Sequence, residues 1–144
     1  MSIMPHKKHL PRLIKLKFID DGVDGCLTIM ENHREIPFSI KRVYYVNKLK
    51  NKHAVRGMHA HKKLKQAIFC LQGSFELLLD DGFEERRVKM HKSHVGVYMP
   101  PKLWHMMRHF SDNCVILVVA SDFYKESDYI RDYNEFKKHL KKYP

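Results

Sequence analysis

Arg56-Gly57-Met58-His59-Ala60-His61 is the stretch that decides how this chain is read. Side chains alternate along an extended strand, so two imidazoles one residue apart project from the same face. In an antiparallel barrel one face of each strand is the interior. His59 and His61 are therefore expected to look into a cavity, where such rings serve proton transfer or hold a metal.

The residues on either side repeat the strand signal. Residues 38–46, Phe-Ser-Ile-Lys-Arg-Val-Tyr-Tyr-Val, are β-branched and aromatic; alternation puts Arg42, Tyr44 and Val46 on one face and Lys41, Val43 and Tyr45 on the other. A polar loop follows over 48–53. Beyond the histidines, strands are expected over 67–71, 74–79, 84–90, 95–99, 104–110 and 115–120, with Gln72-Gly73 and Asp80-Asp81-Gly82 as turns. The run 115–120 is apolar throughout, as in a strand covered on both faces. Short strands with turns at this spacing predict an all-β sandwich or barrel. The period then changes: Tyr129, Tyr133, Phe136 and Leu140 recur at helical intervals, with Ser127 or Asp128 as a cap, which predicts a C-terminal helix over 124–142.

With 144 residues and 44% hydrophobic content, the chain is expected to form one domain over 1–144, its first 17 residues being a basic arm. That arm carries Lys7, Lys8, Arg12, Lys15 and Lys17 without an apolar run, so neither a signal peptide nor a membrane span is expected. Cys26, Cys70 and Cys114 include no Cys-x-x-Cys pair and read as reduced core thiols of a cytoplasmic protein. The net charge of +11 is concentrated in the arm and in Lys137-Lys138-His139-Leu140-Lys141-Lys142. No nucleic-acid-binding motif accompanies it, so no nucleic-acid partner is expected; a nucleotide diphosphate held by one or two arginines suits the chain better.

Several motifs in order resemble one family: Lys41-Arg42-Val43-Tyr44-Tyr45-Val46, Arg56-Gly57-Met58-His59-Ala60-His61-Lys62-Lys63-Leu64, Leu79-Asp80-Asp81-Gly82, Trp104-His105, Ala120-Ser121-Asp122 and Asp128-Tyr129-Ile130-Arg131. They are similar to the sugar 3,4-ketoisomerases of the WxcM-like cupin group, and the resemblance runs from about Phe18 to Leu140. It implies a small jelly-roll (cupin) barrel with the C-terminal α-helix, acting as a homodimer on dTDP-4-keto-6-deoxyglucose. It further implies no metal or redox cofactor, and a 3-keto product destined for 3-amino-3,6-dideoxyhexoses of surface glycans such as lipopolysaccharide.

The metal-binding cupins add a glutamate four or five residues after the second histidine. Here those positions are Lys65, a cation, and Gln66, a neutral amide. Moving a ketone from carbon 4 to carbon 3 asks instead for a base near neutrality and a donor to the developing enolate oxygen. Following the family pattern, His61 is expected to be the base and His59 its proton-shuttling partner. Arg56, Arg42, Tyr44, Gln66 and His105 are expected to line the substrate pocket, with Tyr45 a secondary candidate. Trp104 and Tyr98 are candidate stacking surfaces for thymine or sugar. Asp24-Gly25-Cys26-Leu27 departs from the Arg-Gly pair that relatives often show and is expected to border the sugar. A nucleotide-sugar 3,5-epimerase, a metal-dependent cupin enzyme and a non-catalytic sugar-binding cupin stand as alternatives.

Overall fold

The computed structural model describes residues 10–144, so Lys7 and Lys8 of the expected basic arm lie outside the described residues. The chain forms β1 (Arg12–Lys15), β2 (Lys17–Asp20), β3 (Cys26–Ile29), β4 (Arg42–Val46), β5 (Arg56–His61), β6 (Gln66–Gln72), β7 (Phe75–Asp80), β8 (Glu85–Met90), β9 (Val95–Met99), β10 (Trp104–Arg108), β11 (Val115–Ala120), β12 (Tyr129–Ile130) and α1 (Tyr133–Lys142). Two five-stranded antiparallel sheets, ordered β1-β9-β6-β11-β4 and β12-β5-β10-β7-β8, enclose the barrel; β2 and β3 pair as a separate ribbon.

The alternating pattern places the core. Ile68, Cys70, Val97, Met99, Ile116 and Val118 of the first sheet meet Phe75, Leu77 and Leu79 of the second between the two sheets. The other face of the first sheet is also covered: Ile14, Leu16, Ile36 and Phe38 pack there against Ala67, Phe69, Tyr98 and Val119. That second layer explains the wholly apolar 115–120 run, since β11 has buried side chains on both faces.

Three expectations are corrected. The strand expected from residue 38 begins only at Arg42: Pro37 precedes Phe38, and the Ile40 N–H donates to the Asn32 side chain at 2.6 Å instead of joining a ladder. The described part of the N-terminal segment is not an unpaired arm, because Arg12–Lys15 pairs with β9, and Ile14 and the following Leu16 are buried. The helix starts at Tyr133 instead of residue 124. Asp132 is extended and its carboxylate accepts from the Glu135 N–H at 2.9 Å, capping a helix whose apolar stripe, Phe136 and Leu140, packs on Trp104, Ile130 and Ala60. Tyr129, which continues the stripe in spacing, belongs to β12, paired with His61.

Cys70 and Cys114 are buried as expected, whereas Cys26 is exposed on the ribbon. No helix among the described residues is long and apolar enough to cross a membrane.

Candidate functional site

The site is built on β5, and β5 is irregular. Gly57 and Met58 both have positive φ, +83° and +56°, and the register against β10 slips there: His105 lies opposite His59 but Met106 lies opposite Gly57. Met58 is the extra residue of a β-bulge, 50% exposed, and the bulge sets the aim of the histidines that follow. Glycine is required before it, since a Cβ at Gly57 would stand 3.0 Å from the His105 carbonyl oxygen.

Beyond the bulge His59 and His61 turn to the same side, and β10 brings a third ring beside them. Ring centroids lie 4.5 Å apart for His59 and His105, 4.9 Å for His59 and His61, and 5.9 Å for His61 and His105. His61 and His105 are buried and His59 half-buried. Gln66, also buried, donates from Nε2 to the Tyr44 hydroxyl at 2.9 Å, which joins β6 and β4 at this end of the barrel. Arg42 leans over the Tyr44 ring at 5.4 Å and the Tyr124 ring at 5.8 Å.

Asp128 fixes the tautomer of His61. Its Oδ2 lies 3.0 Å from His61 Nδ1. A carboxylate only accepts, so Nδ1 carries the hydrogen and Nε2 keeps its lone pair. The carboxylate is itself held by the backbone N–H groups of Lys63 at 2.8 Å and Leu64 at 3.4 Å. The His105 Nδ1–H likewise donates to the Leu103 carbonyl at 3.3 Å. Tyr129 closes over the pair, its ring 4.4 Å from His61 and 4.9 Å from His59. Arg131 stacks on that ring at 4.3 Å, held by two hydrogen bonds to Glu126 at 2.8 and 2.9 Å.

Burial disfavours a charge on all three imidazoles and draws each below its ordinary value of 6.5. For His61 the positive potentials of His59, Arg42 and Arg131 act in the same direction. The Asp128 carboxylate opposes them, but two backbone donors already offset much of its charge. The rings are therefore neutral near pH 7, in the form that accepts a proton. Burial likewise pushes the Tyr44 phenol up to about 12, keeping it a donor. His59 Nδ1, His61 Nε2 and Arg42 Nε are buried without a hydrogen-bond partner among the described residues. Leaving such atoms unpaired costs about 1–3 kcal/mol each, an expense native structures concentrate where a ligand completes the bonding.

The nitrogens of His59, His61 and His105 lie within 4.8 Å of one another, compact enough to touch one ion. The set lacks the carboxylate that metal-binding cupins add: Lys65 is exposed and the Gln66 amide is committed to Tyr44. Proton transfer suits these groups better than ion coordination.

Of the residues expected at the site, His59, His61, His105, Gln66, Tyr44 and Arg42 come together. Arg56 is exposed at the rim, near enough for its charge to act on Tyr44. Three placements are corrected. Tyr45 is 67% exposed on the outward face of β4, as regular alternation from Tyr44 requires. Tyr98 belongs to the outer layer, packed on Phe38 beneath Arg12, because Val97 and Met99 take the inward positions of β9. Trp104 packs beneath α1 against Phe136 and Tyr133, outside the cavity. Among the described residues, the segment around Asp24 lies on the separate ribbon, with no bond to the histidine cluster.

Asp128 and Tyr129 are the residues that sequence reasoning missed. Asp128 was available only as a helix cap and Tyr129 only as part of an apolar stripe. The signal that could have found them is the motif Asp128-Tyr129-Ile130-Arg131, which matched the family pattern but suggested no pairing with His61.

Comparison with known proteins gives a consistent result. The family described as FdtA, WxcM-like, C-terminal matches residues 9–141. The TDP-4-oxo-6-deoxy-alpha-D-glucose-3,4-oxoisomerase of Aneurinibacillus thermoaerophilus is 47% identical over 131 residues, covering 91% of this chain and 93% of that protein. The sugar 3,4-ketoisomerase QdtA from Thermoanaerobacterium thermosaccharolyticum, solved with TDP, superposes with a TM-score of 0.88 at 44% identity, covering 92% of this chain and 95% of that one. A histidine-to-asparagine variant of QdtA, solved with TDP-4-keto-6-deoxyglucose, gives 0.89 at 41% identity over 97% of this chain and 98% of that one.

Proposed function

The chain belongs to the FdtA family of WxcM-like proteins, and from that premise we propose that it is a 3,4-ketoisomerase acting on dTDP-4-keto-6-deoxyglucose. The observation that carries the reading is the pair of buried, unpartnered imidazole nitrogens on His59 and His61, with Asp128 locking the His61 tautomer so that Nε2 presents its lone pair.

In this reading His61 Nε2 takes the proton from carbon 3, which the neighbouring carbonyl acidifies. The electron pair left behind forms the carbon 3–carbon 4 double bond, and the carbonyl oxygen at carbon 4 takes up a proton to give an enediol. The hydroxyl at carbon 3 then gives up its proton as that oxygen becomes the new carbonyl, while a proton is delivered to carbon 4. His59, between His61 and His105, moves the hydroxyl protons. The chemistry is a redistribution of protons and one electron pair within the sugar, so electrons balance without an external redox partner. Tyr44, whose phenol burial keeps protonated, and Gln66, bonded to it, hold the sugar, and Arg42 and Arg56, whose charges reach Tyr44, offer cations to the attached diphosphate.

The same reading places the protein in the cytoplasm as a homodimer, supplying a 3-keto sugar for 3-amino-3,6-dideoxyhexoses of surface glycans. Support for a second copy comes from the ribbon, where Phe18, Ile19 and Leu27 are 41%, 38% and 53% exposed.

Incubation with dTDP-4-keto-6-deoxyglucose in heavy water, followed by NMR, tests the function. The expected product is a 3-keto-6-deoxyhexose carrying deuterium at carbon 4. Deuterium at carbons 3 and 5 with the ketone still at carbon 4 would identify an epimerase and overturn the isomerase reading.

A further inference from the structure

Tyr129 forms a wall of the histidine site, yet it belongs to none of the apolar clusters that fill the molecule. It lines two open cavities: one of about 400 Å³, whose walls also carry Lys41, Lys62, Lys63 and Lys125, and one of about 980 Å³ along α1. Its backbone is fixed, because β12 pairs with β5 opposite His61. The ring needs a separate hold. On one side are the imidazoles of His61 and His59; on the others are the Tyr124 ring at 5.5 Å and the Arg131 guanidinium at 4.3 Å.

Both of those outer groups are tied to a single carboxylate. Glu126 Oε1 accepts from Arg131 Nε at 2.8 Å, while Oε2 accepts from Arg131 Nη2 at 2.9 Å and from the Tyr124 hydroxyl. A two-pronged guanidinium–carboxylate match fixes orientation as well as distance, and here it sets the plane that stacks on Tyr129. Arg131 and Glu126 are 53% and 59% exposed, and an isolated pair so exposed contributes little to stability. The third donor, and the ring that the assembly presses on, give this one a different use.

We propose that Glu126 is a positioning residue for the isomerisation: through Arg131 and Tyr124 it holds the Tyr129 ring against His59 and His61. The inference deepens the ketoisomerase reading and rests on it for the reaction served, but the hold itself is measurable without turnover. A Tyr129 ring free to swing would admit water to the His61–Asp128 bond and set solvent against the sugar for the acceptor nitrogen. Glu126 acts only through the ring, since its own hydrogen bonds go to Tyr124 and Arg131.

The test combines steady-state kinetics with NMR of nitrogen-labelled full chain, reading how fast the His61 Nδ1 proton exchanges with water. In Glu126→Gln, exchange is expected to be about tenfold faster and kcat about threefold to tenfold lower, with KM for the keto sugar within about twofold of the parent. Arg131→Met should speed exchange similarly, and the double variant should exchange no faster than the quicker single one, because both changes release one contact. Glu126→Asp, which keeps an accepting carboxylate, should recover part of both effects. Exchange and kcat as in the parent for Glu126→Gln would overturn the positioning role and leave the isomerase reading standing. A lower melting temperature with exchange and kcat unchanged would mark an ordinary surface ion pair and overturn it equally. Faster exchange in the variants of a parent that forms no 3-keto product would uphold the hold on Tyr129 and overturn the isomerase reading.

Discussion

The two ends of the barrel interior are built from the same strands and are chemically opposite. β6 shows the contrast within one element: its inward positions run Gln66, Ile68, Cys70, from an amide bonded to Tyr44 to a thiol inside the apolar core. At the Cys70 end, Phe75, Phe110, Cys114 and Ile116 fill the space between the sheets. At the Gln66 end three imidazoles sit together, and two of them present buried nitrogens that nothing among the described residues satisfies. Close packing without polar atoms yields stability, whereas unpaired polar atoms in a confined space lower stability and wait for a ligand. The apolar end thus holds up a polar end that is individually unfavourable.

That division of labour can be broken from either side. The largest effect is expected from His61→Asn, which removes the lone pair at Nε2: kcat should fall about 10³-fold while the thermal transition stays close to that of the parent, checked by product NMR and calorimetry. At the other end, Leu77→Ala empties a fully buried position and should destabilise the fold by about 2–5 kcal/mol, with kcat of the folded fraction unchanged. A large kcat loss in folded Leu77→Ala protein would show that the two ends are coupled.

Asp128→Asn sharpens the comparison within the polar end. The amide can still sit beside His61 Nδ1, but it no longer demands a donor there, so the tautomer is released. Turnover should drop about tenfold to a hundredfold with KM little changed, and nitrogen NMR of the imidazole should show mixed tautomers. Acid should act on the polar end selectively. His61 and His105 take up protons less readily folded than unfolded, so the unfolded chain binds more protons once pH falls below about 6.5. The stability tied to their neutral forms is complete above that value and is lost as pH falls towards the lowered folded values. Urea midpoints between pH 7.5 and 5 should decline, and less steeply in His61→Asn. The smallest effect is expected for Tyr45→Ala, on the outward face of β4: turnover within about twofold and stability within about 0.5 kcal/mol of the parent. Treatment with a chelator should leave turnover unchanged.

Much of this site is legible locally. The spacing of His59 and His61, the alternation that turns Arg42 and Tyr44 together and Tyr45 away, and the placing of His105 after a proline turn are short-range facts. So is the Asp80-Asp81-Gly82 hairpin, where Gly82 takes a φ of +91° and the Asp81 carboxylate accepts from the Phe83 and Glu84 N–H groups. What stays hidden is which aromatic faces which layer. Tyr98 and Trp104 have the composition of pocket walls, yet one is covered by Phe38 and the other by Phe136. Those covers come from segments about 60 and 30 residues away in sequence, and no local pattern announces them.

The sequence by itself determined an all-β sandwich or barrel, the same-face pair of imidazoles and the absence of a carboxylate at Lys65 and Gln66, because alternation and side-chain chemistry act within a few residues. Tertiary structure alone decided that Asp128 meets His61, that Tyr129 leaves the helical stripe to close over the histidines, and that a cation-lined cavity opens beside them. Each of these depends on the segment around β12, which pairs Tyr129 with His61 and Ile130 with Ala60 across nearly half of the chain. That pairing brings Asp128 to set the tautomer of His61, and burial sets the charge of the reactive rings.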